Sequence, residues 1–377
     1  MKHLSFLRAA GLLAGLLLAL APPAAAQAPA WQSARAVATA TAAAAGNSSV
    51  VSATAVDAAG NVYLAGAFTN SVVLGGITLT SLGGNDVFVA KFNPASNQFV
   101  WAQRAGGTGG DGATALAVSG SSVYVAGHFG GPTAAFGPAT LTNAGLYYTS
   151  DVFVAKLTDA GSTSGFAWAQ RAGGTGGEGA SALAVSGTSV YVAGVFDSYT
   201  VGFGPATLVS AGTYDVFVAK LTDAGSTGSF MWAQRAGGTG EDGARALAVS
   251  GTSIYVAGTF TSATAGFGPI TLTNARLNYS SDVFVAKLTD AGNTSSFVWA
   301  QRGGGIYDDY ASALAVSGSS VYVAGSFSSP TGFGPATLVS AGYDVFVAKL
   351  TDAGSAGNFA WEQRAGGTYN EFATRWP

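Results

Sequence analysis

Beyond residue 48, short apolar runs rich in Val and aromatic residues alternate with breaks made of Gly, Ser, Asp and Asn, the pattern of successive β-strands. Between residues 113 and 174 four such runs read as strands: Ala115 to Ser119, Val123 to Phe129, Asp151 to Leu157 and Phe166 to Arg171. Ser119-Gly120-Ser121-Ser122 forms a tight turn between the first two. Thr158-Asp159-Ala160-Gly161 opens a hairpin between the last two, with Asp and Gly supplying the side-chain bond and positive φ that turns require. A fifth short piece, Phe136 to Leu141, falls in the long connection between the second and third strands. Val123-Tyr124-Val125-Ala126 and Val152-Phe153-Val154-Ala155 are apolar on both faces, whereas a one-sided sheet would alternate apolar with polar. Antiparallel hairpins covered on both faces are what stacked propeller blades demand.

The pattern repeats. Trp-Ala-Gln-Arg begins at Trp101, Trp168, Trp232 and Trp299, and recurs as Trp-Glu-Gln-Arg at Trp361. Asp-Val-Phe-Val-Ala-Lys begins at Asp86, Asp151, Asp215, Asp282 and Asp344, so one unit is 62 to 67 residues long. From the Asp of the third strand to the Arg of the fourth is 20 residues in four units and 18 in the first; an even difference keeps every side chain on its face. The chain therefore reads as all-β, a β-propeller of five complete four-stranded blades over residues 49–366. A looser relative of the outer strand, Trp31-Gln32-Ser33-Ala34-Arg35, lies in residues 27–48 without three strands of its own. Residues 367–377 read as the start of a further blade that is cut short. Those two pieces together suggest a shortened product of a longer propeller, with sheet faces and an edge left open to self-association.

Gly60-Asn61-Val62-Tyr63-Leu64-Ala65-Gly66, the five Asp-Val-Phe-Val-Ala-Lys strands and the Trp after each hairpin resemble the bacterial seven-bladed β-propeller repeats of exported proteins. The resemblance covers nearly all of residues 49–366. It implies a propeller, usually within a larger surface or secreted protein, and no catalytic residues. Only the first unit keeps Asp57-Ala58-Ala59-Gly60-Asn61, which the others shorten to Val-Ser-Gly.

Composition adds a destination. Lys2 and Arg8 precede the apolar run Ala9 to Leu20, and Ala24-Ala25-Ala26 offers a small-residue cleavage site, so residues 1–26 read as a signal peptide. The run is shorter than the roughly 20 residues a membrane-spanning helix needs. Export to the extracellular space, the cell surface or the periplasm follows. No cysteine is present, which excludes a bacterial lipid anchor and leaves stability to packing. With Lys2 and Arg8 removed from the 16 basic residues, 14 face 19 acidic ones. Such a mildly acidic, charge-poor surface argues against nucleic acid or an anionic membrane as partner.

Candidate chemistry is sparse. An acid stands seven residues after each Arg, at Asp111, Glu178, Asp242, Asp309 and Glu371, just before the innermost strand. In a propeller these would ring one mouth of the channel, where carboxylates suit a cation such as calcium. The plainer alternative is that each caps its own glycine turn. Gly107-Thr108-Gly109-Gly110-Asp111-Gly112 matches a dinucleotide pattern, but no helix N-terminus follows to meet phosphate. The recurring Arg and strand-opening Asp, for instance Arg171 and Asp151, read as ion pairs within a blade. The recurring Trp reads as packing between blades and not as a sugar platform. His128, the single histidine after the leader, stands where other units carry Ala67, Val195, Thr259 and Ser326, leaving a Ser-His-Asp triad or a His-rich metal site almost nothing to draw on.

What differs between units is the long connection after the second strand, which carries Tyr147, Tyr148, Tyr199 and Tyr279. Loops on a rigid scaffold are where binding sits. The expected function is a non-enzymatic binding, adhesive or scaffolding module for an extracellular protein or glycan, without a cofactor. A carbohydrate-binding propeller is the alternative, and a polysaccharide-active enzyme using carboxylates a more distant one.

Overall fold

Val-Tyr-Val-Ala and Val-Phe-Val-Ala runs lie side by side at the centre of antiparallel sheets in a computed structural model. It describes residues 46–145, 149–276, 280–328, 330–334 and 336–373. The signal peptide, the Trp31 strand, Tyr147, Tyr148, Tyr279 and residues 374–377 lie outside the described residues.

The first repeat holds β1 (Ser48–Val56), β2 (Val62–Leu74), β3 (Ile77–Asn93) and β4 (Gln98–Gly107). The second contributes β5 (Asp111–Ser119), β6 (Ser122–Gly130), the short pair β7 (Thr133–Phe136) and β8 (Ala139–Thr142), then β9 (Ser150–Asp159) and β10 (Ser164–Gly174). In the third come β11 (Glu178–Ser186), β12 (Ser189–Phe196), β13 (Thr200–Phe203), β14 (Ala206–Val209), β15 (Asp215–Asp223) and β16 (Gly228–Gly237). The fourth follows with β17 (Asp242–Ser250), β18 (Ser253–Phe260), β19 (Thr264–Phe267), β20 (Ile270–Thr273), β21 (Asp282–Asp290) and β22 (Ser295–Gly305). Last are β23 (Asp309–Ser317), β24 (Ser320–Ser328), β25 (Thr331–Phe333), β26 (Ala336–Leu338), β27 (Tyr343–Asp352) and β28 (Gly357–Ala365).

The fold is an all-β propeller. Its innermost strands, β1, β5, β11, β17 and β23, follow one another around a central cavity of about 670 Å³ lined by small and apolar side chains such as Ala115, Leu183 and Ala246. Each innermost strand carries a bulge, at Ala113/Ala115 in β5 for example. The bulge brings the Gly112 carbonyl against Gly127, where a Cβ would lie 2.0 Å from that oxygen. This contact recurs at Gly66, Gly194, Gly258 and Gly325, which explains the invariant glycine after Val-Ala or Leu-Ala.

One expectation needs correcting. The sheets are not simply four-stranded, because the piece around Phe136 is a hairpin that leaves its own sheet. Strand β7 pairs with β4 of the preceding repeat, Gly106 opposite Ala135 and Gly107 opposite Ala134. Among the described residues four sheets thus have six strands, two of them donated by the next repeat, and the fifth has four. Glycines make the join possible: a Cβ on Gly107 would sit 1.9 Å from the Thr133 carbonyl. Apolar burial holds it, since Phe136 is fully enclosed with Phe153 and Phe166 at ring distances of 4.6 and 5.7 Å. Burying one such ring contributes about 1.5–3 kcal/mol. In the first repeat the matching residues simply lengthen the β2–β3 hairpin, with Ser71 opposite Thr80.

Four apolar clusters hold the sheets together, each shared by two neighbours. Among the described residues no such cluster joins the fifth sheet to the first.

Candidate functional site

One rim of the propeller collects the glycine turns that precede the innermost strands and the long connections. Backbone bonds tie the two, from Gly130 N–H to the Gly110 carbonyl, Asp197 to Gly177 and Thr261 to Glu241. The five acids of the expected ring all stand here. Each accepts a hydrogen bond from its own turn: Gly107 N–H to Asp111 at 2.6 Å, Gly174 to Glu178 at 2.9 Å, Gly238 to Asp242 at 2.6 Å, Gly305 to Asp309 at 2.8 Å and Gly367 to Glu371 at 3.2 Å. The first four are buried. Gly130 N–H donates to the second oxygen of Asp111, Ser198 to that of Glu178, Thr261 and Ser262 N–H to that of Asp242 and Thr331 to that of Asp309, so the remaining oxygens are also engaged. Among the described residues no three acidic or histidine side chains gather as the ligands of an ion would.

Each of the four buried acids faces the strand-opening Asp of its neighbourhood. A Cβ on Gly237 would touch Asp215 Oδ1 at 2.2 Å and Asp242 Oδ2 at 2.8 Å, so the glycine, at φ +131°, lets both carboxyls close on the backbone. Burial pushes Asp111 up to about 6 and both Glu178 and Asp309 up to about 7, against the pull of their backbone and hydroxyl donors. Asp151 Oδ1 is buried without a conventional donor, while Glu178 lies within hydrogen-bonding reach of that carboxyl. Arg171 holds the other oxygen of Asp151 at 2.7 Å, and Arg104, Arg235, Arg302 and Arg364 do the same for Asp86, Asp215, Asp282 and Asp344, the ion pairs expected from the hairpin register.

The opposite rim holds a second polar device, which the sequence conceals. Asp159, in the turn between β9 and β10, reaches across to the first repeat. Its Oδ2 accepts from Lys91 Nζ at 2.7 Å and Tyr63 Oη at 2.5 Å, and its Oδ1 from Trp101 Nε1 at 3.1 Å. The same lock recurs on Asp223, Asp290 and Asp352, which take Lys156, Lys220 and Lys287 with their Tyr and Trp companions. The Trp side chains pack between sheets as expected, and their Nε1 groups donate as well.

Of the tyrosines expected to bind, Tyr199 is 76% exposed at the rim, just before β13. Tyr214, Tyr307 and Tyr310, none of them singled out by sequence, are exposed on the same rim. They sit in or beside the glycine turns, where Ala172-Gly173-Gly174-Thr175-Gly176-Gly177 becomes, for example, Gly303-Gly304-Gly305-Ile306-Tyr307-Asp308; that local variation is the signal that could have found them. A cleft of about 590 Å³ opens there between residues 108–110, 130–132 and 149–150. His128 is largely shielded, and burial lowers its proton affinity.

No protein family and no curated protein matches the chain in sequence. Among solved structures, it is similar to a candidate 6-phosphogluconolactonase from Bacteroides uniformis at 9% identity and a TM-score of 0.36, over 83% of this chain and 88% of that one. A protein from Lactobacillus plantarum is similar at 13% identity and a TM-score of 0.30, over 75% of this chain and 79% of that one. Likeness of this order transfers no activity.

Proposed function

We propose that the chain is an exported, non-enzymatic propeller, of the kind seen in bacterial seven-bladed repeat proteins, that serves as a binding, adhesive or scaffolding module. One observation carries this reading: the Arg, Asp and Lys that recur from repeat to repeat are, Lys349 apart, engaged in holding the sheets, whereas exposed tyrosines that differ between repeats gather on one rim. Tyr199, Tyr214 and Tyr307 stand there on turns anchored by buried carboxylates. Tyrosine offers a large contact area with little conformational entropy to lose, which suits either a protein or a glycan. Exposed rings on a rim that also carries a cleft favour glycan as the second reading.

Screening the exported chain against glycan and extracellular-protein arrays tests both. Binding that weakens roughly tenfold in Tyr199→Ala or Tyr307→Ala, about 1.4 kcal/mol, supports the rim as the contact face. Binding unaffected by either variant, or turnover of the bound glycan, overturns the proposal.

A further inference from the structure

Four of the five repeats present Lys, Tyr and Trp to an aspartate of the next repeat, and the fifth presents the same three to none among the described residues. Lys349 Nζ lies 5.8 Å from the centre of the Tyr322 ring, matching 5.6–5.9 Å for the four locked pairs. Tyr322 and Trp361 stand 6.2 Å apart at 55°, as Tyr124 and Trp168 do at 6.2 Å and 54°. The three donors are therefore assembled in the binding arrangement, on a face where Trp361 is 40% exposed against 4% for Trp299. Val347 is exposed beside them, while its counterpart Val285 is fully buried. The edge of β28 likewise carries no donated hairpin, unlike β4, β10, β16 and β22.

We infer that this face of the fifth sheet is a docking socket for a further blade of the same repeat, one whose turn between third and fourth strands carries an aspartate. The recognition chemistry is a carboxylate with both oxygens accepting, one from the ammonium and phenol, the other from the indole, with an apolar sheet behind it. The first repeat of this chain does not meet that description, since its corresponding turn is Asn93-Pro94-Ala95-Ser96, with the Asn93 side-chain Oδ1 already accepting from Ser96 N–H. Docking it there would bury the Lys349 cation without a partner, the expensive arrangement for a charge. The four aspartates that occupy such a turn, Asp159, Asp223, Asp290 and Asp352, are each held already by the repeat before them. This inference is independent of what the opposite rim binds.

Lysine acetylation mapped by mass spectrometry tests it with internal controls. In the chain as it stands, Lys349 should react roughly tenfold faster than Lys91, Lys156, Lys220 and Lys287, whose modification requires local opening. Replacing residues 374–377 with a second copy of residues 312–365 places Ala373 where Ala311 stands and supplies a new aspartate turn. Lys349 should then slow to the level of the other four, and Asp→Asn in the added turn should restore its reactivity. Asp352→Asn in the unextended chain is the companion test, expected to make Lys287 as reactive as Lys349. The inference fails if Lys349 is already as protected as the other four. It fails equally if a protease-resistant added blade leaves Lys349 reactive, or if Lys287 stays protected without the Asp352 carboxylate.

Discussion

Lys156 and Asp223, 67 residues apart in sequence, meet at 2.6 Å across the boundary between the second and third sheets, both almost wholly buried. The same carboxylate accepts from Tyr124 and Trp168 and caps its own turn through Gly225 N–H, so one side chain joins two sheets and shapes a hairpin. Asp223→Ala leaves an ammonium buried without its partner. We expect a loss of about 3–5 kcal/mol in denaturant-induced unfolding. Arg171→Ala, at the one-third-exposed partner of Asp151, should cost less, about 1 kcal/mol or a little more.

The two sets of carboxylates pull the pH dependence of stability in opposite directions. Burial raises Asp111, Glu178 and Asp309, so the folded chain holds protons there that the unfolded chain releases. Their contribution is complete below the ordinary carboxylate range and is lost as pH rises through about 6 to 7. Burial also opposes charge at Asp223 and Asp352, but donors from Lys, Tyr, Trp and backbone outweigh it and hold both at about 2. Their contribution is present above pH 4 and fades as pH falls towards 2. Thermal unfolding followed from pH 8 to pH 2 should show the melting temperature rising to a maximum near pH 4 and then dropping.

Calcium and chelator should leave the melting temperature unchanged, because the rim carboxylates already accept from backbone and hydroxyl donors. A shift of several degrees on adding the ion would identify a site that these contacts do not account for.

Gly127→Ala and Gly165→Ala separate a packing requirement from mere glycine abundance. The first places a methyl group 2.0 Å from a backbone oxygen, and we expect about 1–3 kcal/mol of destabilisation. At Gly165 nothing lies within 4 Å, and the change should be neutral or stabilising by less than about 1 kcal/mol. Chemical denaturation of the two variants checks both.

How much of this was readable in advance depends on how local the signal is. Val123-Tyr124-Val125-Ala126 and its relatives declare buried strands by themselves, and the even spacing from Asp151 to Arg171 placed their ion pair correctly. Asp159 was read as a turn former, which it is, since it accepts from Gly161 N–H at 2.9 Å. Its second role was invisible because Thr-Asp-Ala-Gly is a sufficient turn signal alone, and the partners lie in the previous repeat. The hairpin at Phe136 escaped for a similar reason: strands of four residues around Phe-Gly-Pro look like a loop until the sheet that receives them is known. On the rim, repetition drew attention to the acids, while Tyr214 and Tyr307 stand where the repeats differ from one another.

The hairpin that crosses from each repeat to the sheet before it means that the stretch copied in the sequence and the sheet that folds are different pieces of chain. Every boundary from β4–β7 to β22–β25 is stitched by the same motif. Recombination that inserts or removes one whole repeat therefore rejoins a hairpin to an edge it already fits. A lineage of such proteins could change its number of units without evolving a single new contact.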